Sequence, residues 1–358
     1  MSHTVVVGAG IIGCAIAREL AVRGVACTVF DDRPVGGGAT QASAGMLAPH
    51  VEAHAGGPML ELGLRSLDLY QPWISTVGHE SGVEIEYRVI GTLEVALTAD
   101  RAAELRRSGR SHGRWLEPAD VARVHPRLRK TAGALTCEEH GYVVASQLAE
   151  ALARAAERAG ATFERARVLD ISPEGRAIRV TTTAGRSVAL HVILAAGAWT
   201  NSIHGVRTPP VRPVRGQLLR LEWPALHSPL PTVIWGPDCY LVPRIDGSVL
   251  VGATVEEVGF DERTTEEGVQ RLLSAAGDLL SSLKRSRLIE ARAGLRPAAP
   301  DDLPVLGSDP DLPGLIHATG HYRNGVLLAP ITAKVIADLI VDGKRDSCLD
   351  AFRPGRFW

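Results

Sequence analysis

Three glycines near the start of the chain have the spacing of a phosphate-binding turn. Gly8, Gly10 and Gly13 stand in VVVGAGIIG, between an apolar run and a helix-like run. The first glycine permits a tight turn, the second lets backbone N–H groups approach a pyrophosphate, and the third lets the helix pack closely. Asp31 follows about twenty residues later, where a carboxylate accepts a hydrogen bond from a ribose hydroxyl. The pattern predicts dinucleotide binding; the alternative is a purely structural glycine turn.

The segment after Asp31 bears on which dinucleotide is bound. Residues 36–53, GGGATQASAGMLAPHVEA, are mostly small and include the hydroxyls of Thr40 and Ser43. We interpret them as a second stretch of backbone that runs along an extended cofactor. The glycine pattern alone does not separate NAD from FAD. NAD enzymes of this type usually continue directly into another α/β unit, so the segment favours FAD.

Arg323 is a charged side chain in an apolar context. It stands in GHYRNGVLLAP, a run of small and apolar residues that leads into a predicted helix. A guanidinium is rarely buried without a partner. Arg323 is therefore either solvated or beside an anionic group.

His50 and His54 have the spacing of one helical turn, which would suit two ligands of a metal ion. No third ligand is evident in the sequence, and the chain has no CxxC pair. Zinc sites need three or four protein ligands. We therefore predict no metal site and interpret both residues as surface or pocket histidines.

Composition and charge exclude several classes of function. The 358 residues are 45% hydrophobic and 22% charged, as in ordinary globular proteins, and the length allows one large or two joined domains. The net charge is −1 and the pI about 6.9, whereas nucleic-acid-binding domains usually have a pI above about 9. The basic run 106–114 lacks interleaved aromatic residues, so we interpret it as a solvated loop. We expect a small-molecule function without a nucleic-acid or membrane partner.

The cysteines and the N-terminus indicate a cellular compartment. Five cysteines without a CxxC pair argue against a disulfide framework. The apolar run TVVVGAGIIG is broken by glycines and follows no basic region, unlike a signal peptide or a membrane-spanning helix. We expect a protein of the reducing cytoplasm.

The elements that position these residues fall into two groups. Residues 4–31 predict strand, glycine turn, helix and strand, with Gly24 at the end of the helix. Residues 166–200 predict three further strands, and GLIHATG predicts one more before a helix. Residues 87–98 and 240–254 predict strands of a second, largely antiparallel sheet.

We therefore predict a mixed α/β fold in which a Rossmann-like FAD-binding domain carries an inserted antiparallel-sheet substrate-binding domain. The FAD-binding domain is discontinuous and comprises residues 1–85, 142–205 and 290–358. The substrate-binding domain comprises residues 86–141 and 206–289.

Five motifs in a fixed order extend over nearly the whole chain. They are VVVGAGIIGCAIARELAVRG, ASAGMLAPHVEA, CYLVPRIDGSVLVGAT, AGLRPAAPDDLPVLG and GHYRNGVLLAPITAKVIADLI. In these motifs the chain resembles the glycine oxidase branch of the D-amino-acid oxidase family, whose members bind FAD. The positions that the resemblance and the glycine pattern together place at FAD are Gly8, Gly10, Ile11, Ile12, Gly13, Asp31, Asp32, Ala39, Thr40, Ala44, Gly45, Met46, Val168, Gly197, His321, Tyr322, Arg323, Asn324, Gly325, Val326 and Leu327.

The resemblance also implies three residues at the substrate. Arg296 corresponds to the arginine that holds the substrate carboxylate, and a guanidinium does present a planar pair of donors to such a group. Tyr240 corresponds to a tyrosine that can bond the same carboxylate. Arg323 would lie near both flavin and substrate, before a helix whose N-terminus stabilises negative charge on reduced flavin. The alternatives are structural ion pairs for the arginines and cross-strand packing for Tyr240.

Two departures from related enzymes refine this expectation. Sarcosine oxidases, which share the fold, tether their flavin through a cysteine shortly after the region that matches RPAAP. This chain has Ala298 and Ala299 there and no cysteine until Cys348, so we expect non-covalent FAD. Val255 stands where the glycine oxidase pattern carries a methionine, and a shorter side chain would enlarge the pocket.

The resemblance implies oxidation of glycine, sarcosine or a small D-amino acid. The Cα hydrogen passes as hydride to flavin N5, O2 is reduced to hydrogen peroxide, and water hydrolyses the imine to a 2-oxo acid and ammonia. In the family, the glycine imine can instead serve synthesis of the thiazole of thiamine. By analogy the protein is a homo-oligomer, a tetramer. Two alternatives are a D-amino-acid dehydrogenase that reduces a quinone and a non-catalytic flavin-binding subunit.

Overall fold

The computed structural model describes residues 3–53, 56–108, 112–224 and 228–358. Within these ranges the α-helices are α1 (Ile11–Val22), α2 (Pro49–Glu52), α3 (Pro58–Ser81), α4 (Ala99–Ser108), α5 (Pro118–Val124), α6 (Ala145–Arg158), α7 (Glu266–Leu279) and α8 (Gly325–Val341). The strands are β1 (Thr4–Val7), β2 (Cys27–Asp31), β3 (Met46–Leu47), β4 (Tyr87–Val89), β5 (Thr92–Ala96), β6 (Arg114–Leu116), β7 (Gly133–Cys137), β8 (Gly141–Val143), β9 (Thr162–Arg165), β10 (Val168–Glu174), β11 (Ala177–Thr182), β12 (Gly185–Ala189), β13 (His191–Leu194), β14 (Arg212–Glu222), β15 (Val233–Trp235), β16 (Tyr240–Pro243), β17 (Ser248–Gly252), β18 (Leu288–Ala298), β19 (Val305–Ser308) and β20 (Leu315–Thr319).

The first strand lies near the centre of a six-stranded sheet with the order β19-β20-β13-β1-β2-β9. β1 pairs in parallel with β13 and β2, which places Val5 opposite Val192 and Thr28. Only β19, at one edge, runs antiparallel to its neighbour. All four residues of β1 are buried, as expected for a parallel strand covered on both faces. The predicted strand, turn, helix and strand of residues 4–31 are confirmed.

Different layers cover the two faces of this sheet. Val6 and Ile193 pack in one apolar core with side chains of α1, α3, α6 and α8. Val5 and Leu194 face the opposite side and pack against the small antiparallel sheet β10-β11-β12. On α8 Lys334 and Asp338 form an ion pair of 2.5 Å, while the rest of the helix is largely buried.

A second large sheet has eight strands in the order β18-β14-β17-β16-β15-β5-β7-β6. Adjacent strands in this sheet are antiparallel except for the pair β15 and β5, which is parallel. The expectation of a largely antiparallel second sheet is therefore confirmed. Thr265 is the N-cap of the amphipathic helix α7, and its hydroxyl accepts a hydrogen bond from the N–H of Gly268. Leu272 and Leu279 of α7 pack against Leu219 and Leu241 of the sheet.

A three-stranded sheet, β3-β8-β4, connects the two larger sheets. β8 lies between the others and pairs antiparallel with both, Tyr142 opposite Met46 and Val143 opposite Tyr87. Because β3 follows directly on residues 36–45, this pairing holds that segment between the two large sheets.

Two details of the sequence-based organisation are corrected. Residues 166–200 form four strands, β10 to β13, because Ser187–Ala189 pairs with β11 before the chain turns into β13. The predicted boundary at residue 290 cuts through β18, which pairs along its length with β14 of the eight-stranded sheet. We keep the two-domain division as a proposal and place β18 in the substrate-binding part.

Among the described residues, no helix is both long enough and apolar enough to cross a bilayer. The basic run 106–114 lies partly outside the described residues. Its Arg106 is exposed, pairs with Glu117 at 2.6 Å and lies over the ring of Trp115, as expected for a solvated surface.

Candidate active site

A cavity of about 680 Å³ lies between the six-stranded and eight-stranded sheets. Its volume falls in the range of roughly 300–1,000 Å³ that is typical of ligand and cofactor pockets. Arg296, Tyr240 and Arg323 line it together with nearly all the positions predicted to hold FAD. Gly13 and Leu327 do not line it.

The glycine turn at one wall is sterically specified. Gly8 has φ +109°, and a Cβ there would overlap the carbonyl of Ala195. A Cβ on Gly13 would overlap the carbonyl of Gly8, so Gly13 contributes through helix packing and not through the cavity. The N-terminus of α1 thus approaches the cavity with backbone alone, an arrangement that suits a pyrophosphate.

Asp31 lies at the end of β2 on the same wall. Its carboxylate accepts hydrogen bonds from the N–H of Ala9 at 2.7 Å and from the N–H of Arg33 at 2.9 Å. Burial raises the pKa of Asp31 despite these two donors. Asp32 also lines the cavity and pairs with Arg167 at 2.5 Å. These carboxylates stand where the ribose of a dinucleotide is expected.

The segment 39–47 crosses the cavity and is held from both sides. The Thr40 hydroxyl accepts a hydrogen bond from the N–H of Ile11 at 3.0 Å. The Gln41 side chain donates to the carbonyl of Ala293 at 2.8 Å, and Arg244 donates to the carbonyl of Ala44 at 2.9 Å. The backbone of this segment therefore forms a fixed wall along the cavity, as predicted for an extended cofactor.

The N-terminus of α8 also opens onto the cavity. Tyr322 has φ +49° and donates its N–H to the carbonyl of Pro297 at 2.9 Å, which fixes the turn before the helix. The Asn324 amide oxygen is buried without a hydrogen-bond partner among the described residues. Burial lowers the pKa of His321 to about 3, so this ring is neutral. A buried free acceptor beside a helix N-terminus fits a ligand that offers both donors and developing negative charge.

Arg296 lies half-buried on β18, opposite Val214 of β14. Its guanidinium donates to the carbonyl of Thr254 at 2.9 Å and packs over Gly216, where a Cβ would overlap it. Among the described residues no carboxylate forms an ion pair with it. A cavity-lining guanidinium that bonds only to carbonyls keeps donors for an anionic ligand, which favours the predicted carboxylate anchor over a structural ion pair.

Tyr240 on β16 lies beside this arginine. Its ring packs on Gly252 of β17, where a Cβ would overlap the phenol, and it contacts the indole of Trp235 with centroids 5.4 Å apart. Burial raises the pKa of Tyr240 to about 12. The positive charge of Arg296 lowers this pKa, and the negative charge of Glu52 raises it. The phenol is therefore a neutral donor in the same corner of the cavity.

Arg323 has an anionic partner that the sequence did not reveal. Its Nε lies 3.2 Å from the Glu52 carboxylate, whose side chain is only 9% exposed. Both residues line the cavity. The structural alternative proposed from the sequence was an ion pair at the surface, whereas this one lies in the wall of the site. Glu52 is part of the motif ASAGMLAPHVEA, but only its long-range contact with Arg323 identifies it as a residue of the site.

Several other lining residues were also missed. Trp235 ends β15, and Asp238 and Cys239 lie in the connection to β16. Cys239 begins one of the quoted motifs, whereas no local motif distinguishes Trp235 and Asp238. Val255 lines the cavity as expected and is 56% exposed. His54 lies outside the described residues, so the pair of histidines at helical spacing is not tested. His50 lies instead beside His140 and Cys137.

Comparison with known proteins gives consistent matches. A model of the family DAO, FAD dependent oxidoreductase, matches residues 3–339. The bifunctional protein ThiO/ThiG of Nostoc sp. is 39% identical over 98% of this chain, and the glycine oxidase of Geobacillus kaustophilus is 35% identical over 94% of this chain and 92% of its own length. The crystal structure of glycine oxidase from G. kaustophilus superposes with a TM-score of 0.93 at 33% identity, covering 99% of this chain and 98% of that one.

The chain spans about half the length of the bifunctional relatives, 54% in the Nostoc protein.

Proposed function

The chain belongs to the DAO family of FAD-dependent oxidoreductases, and from that premise we propose that it is an oxidase of glycine and other small amino acids. Sarcosine and small D-amino acids are the other candidate substrates. The similarity to glycine oxidases over nearly the whole chain supports this proposal. The observation that carries it is the charge balance around Tyr240, where three of the charged residues that line the cavity lie together.

That charge balance comes from three side chains. Arg296 and Arg323 each contribute one positive charge, and Glu52 offsets one of them through its contact with Arg323. The remaining positive charge matches one carboxylate, provided that the substrate amine is neutral. An amino acid in its anionic form has this charge, and its neutral nitrogen carries the lone pair that assists loss of the Cα hydrogen.

FAD is the cofactor, and when bound it takes up the Cα hydrogen with two electrons and returns the electrons to O2, which becomes hydrogen peroxide. The α1 N-terminus and Asp31 would hold its pyrophosphate and ribose, and the turn before α8 would face its ring. Arg296 and Tyr240 fix the substrate carboxylate and so orient the Cα hydrogen. Water then hydrolyses the substrate imine, which for glycine gives glyoxylate and ammonia.

No acid or base of the protein is required for removal of the Cα hydrogen in this scheme. The described side chains bind, orient and neutralise charge, which is how a site contributes when its cofactor supplies the redox chemistry. Tyr240 stays a neutral donor over the working pH range because its pKa is raised. Glu52 keeps the guanidinium of Arg323 from attracting a second carboxylate.

Oxygen consumption tests the proposal. Purified protein should consume O2 and release an equal amount of peroxide with at least one of glycine, sarcosine, D-alanine and D-proline. The same substrate should bleach the flavin under anaerobic conditions. Bleaching without oxygen uptake would indicate a dehydrogenase that uses another acceptor, and no bleaching with any substrate would indicate a non-catalytic flavin-binding protein.

Three further parts of the proposal concern the cellular setting. We propose that the oxidation product serves synthesis of the thiazole of thiamine, a role that the matched bifunctional ThiO/ThiG relatives support. We also propose a cytoplasmic location and a homo-oligomer, a tetramer by analogy with the family. Light scattering on the purified protein measures the oligomeric state.

A further inference from the structure

Three buried side chains from two distant parts of the sequence meet outside the active-site cavity. His50 lies on α2, Cys137 ends β7, and His140 lies in the turn between β7 and β8. They are 7%, 5% and 0% exposed. One ligand atom from each, an imidazole nitrogen or the thiol sulfur, lies within 4.8 Å of the others. The proposed oxidation uses none of them.

We propose that His50, Cys137 and His140 form a binding site for a divalent metal ion of the zinc class, with water as a fourth ligand. Two imidazoles and a thiolate are donors that suit Zn²⁺. The inference does not depend on the proposed oxidase activity.

The distances within the cluster are close to those of a tetrahedral site. His50 Nδ1 lies 3.0 Å from His140 Nε2 and 3.9 Å from Cys137 Sγ. Tetrahedral zinc with bonds of about 2.0–2.1 Å to nitrogen and about 2.3 Å to sulfur separates its ligand atoms by roughly 3.3–3.6 Å. These two distances bracket this value, and the ligand atoms of Cys137 and His140 lie within 4.8 Å of each other, so side-chain shifts of up to about 1 Å would admit an ion.

The surroundings orient the ligands. The Thr92 hydroxyl lies 2.8 Å from His140 Nδ1, on the side of the ring away from His50. Metal-bound histidines usually have such a hydrogen bond at the second nitrogen, because it fixes the ring and its tautomer. The His112 ring stacks on His50 with centroids 4.0 Å apart. Thr92 and Cys137 are opposite each other in β5 and β7, so two adjacent strands support the cluster.

Metal binding at the cluster requires neutral imidazoles and a thiolate. Coordination therefore forms the metal–sulfur bond as the S–H proton leaves to solvent, one proton per ion, with no change of oxidation state.

A metal ion here would fix α2 to the end of the eight-stranded sheet. α2 has four residues; it carries His50 in the cluster and Glu52 in the cavity wall. The ion would thus stabilise the position from which Glu52 contacts Arg323, without itself contacting substrate.

Metal titration tests the inference with a readout that is independent of activity. Untagged holoprotein is stripped with a chelator, and Zn²⁺ is titrated in competition with a chromophoric chelator. We expect one ion per chain and a higher melting temperature with zinc. Co²⁺ should give tetrahedral d–d bands to the red of the flavin absorption. Absence of saturable binding in the wild-type protein would overturn the inference.

Variants locate the ion. Cys137→Ser and His140→Gln should each weaken zinc binding by more than about 100-fold, and Thr92→Val by about 10- to 100-fold, as expected for a residue that only orients a ligand. Cys348→Ser, a cysteine elsewhere in the chain, should bind like wild type. Retained yellow colour shows that a variant is folded. Equal affinity in wild type and Cys137→Ser would place the ion elsewhere and contradict the proposed site.

Discussion

Single residues set the charge of the proposed substrate site. Arg296 bonds to backbone carbonyls and packs on Gly216, while Arg323 is paired with Glu52. The two arginines therefore differ in function although they line one cavity. Arg296 offers unpaired donors, and Arg323 belongs to an ion pair whose net charge is near zero.

Replacement of Arg296 tests the carboxylate anchor. Arg296→Ala should lower kcat/KM for the best amino acid by about 30- to several-thousand-fold, the equivalent of about 2–5 kcal/mol, because the substrate carboxylate is left desolvated without a partner. Arg296→Lys should restore only part of this, since an ammonium lacks the paired donors. Steady-state oxygen consumption measures kcat/KM of both variants. Arg287→Ala, at an exposed arginine, is the matched control. A loss within about threefold in folded, yellow Arg296→Ala would contradict the assignment.

Replacement of Glu52 tests the charge balance. Glu52→Gln removes the negative charge beside Arg323 and leaves room for a second carboxylate in the substrate. The ratio of kcat/KM for iminodiacetate to that for glycine should rise at least about fivefold, equivalent to about 1 kcal/mol. Comparison of the two substrates in one preparation removes errors in active-site concentration. An unchanged ratio would mean that Glu52 does not tune the charge felt by substrate.

Individual strands and loops hold these residues in place. Gly216 on β14 and Gly252 on β17 leave the space that the Arg296 and Tyr240 side chains occupy. The loop after β17 returns to β14, where Glu256 and Arg215 exchange backbone hydrogen bonds. The side chains of these two residues also form an ion pair, and Arg215 is only 5% exposed. One wall of the cavity thus depends on a buried guanidinium.

This loop predicts a pH dependence of stability. Burial alone would raise the pKa of Glu256, but hydrogen bonds from Thr254, Arg215 and Gln217 outweigh it and lower the pKa below 4.5. A lowered folded-state pKa stabilises the protein above the ordinary carboxyl pKa, and this contribution is lost as the pH falls through the folded value.

Glu256→Gln should therefore lower the urea midpoint at pH 7, and this loss should shrink at acidic pH, as the pH falls through the lowered pKa of Glu256 and the wild-type carboxyl becomes protonated as well. Glu257→Gln, an exposed neighbour paired with Arg212, is the matched control and should shift the midpoint little at either pH. If the urea midpoints of wild type and Glu256→Gln differ by the same amount at both pH values, ionised Glu256 is not the source of the stabilisation.

The elements also show what the sequence could and could not predict. The glycine turn and Asp31 follow from local spacing and the α8 turn from the family resemblance, and the structure places nearly all the residues predicted from them around one cavity. The contact of Glu52 with Arg323 and that of His50 with Cys137 and His140 join distant parts of the chain, for which a single sequence carries no local signal. The pairing of β18 with β14 was missed for the same reason.

At the scale of the whole molecule, the way FAD is held follows from where the cysteines lie. Cys14, Cys27 and Cys137 are buried in packed cores or in the cluster described above, and Cys348 lies near the C-terminus, away from the lining of the cavity. Cys239 does line the cavity, but burial raises the pKa of its thiol to about 12. Sarcosine oxidases attach their flavin to a cysteine shortly after the region that matches RPAAP. In this chain no cysteine follows Arg296 until Cys348.

Acid precipitation should therefore release all the yellow colour as free FAD. Absorbance of the supernatant and of the redissolved pellet measures the two fractions. Colour retained in the pellet would overturn the non-covalent assignment. In that case Cys239→Ser would identify the attachment, because Cys239 is a cysteine in the cavity lining.

The segment 39–47 has a kinetic consequence. It is hydrogen-bonded to Ile11 on one side and to Ala293 and Arg244 on the other, so we expect FAD that binds along it to be released only when these bonds open. The residence time of the cofactor should then follow the rate at which this segment opens, not the strength of the contacts that FAD makes. Flavin should be retained through long dialysis and escape rapidly in urea too dilute to unfold the protein.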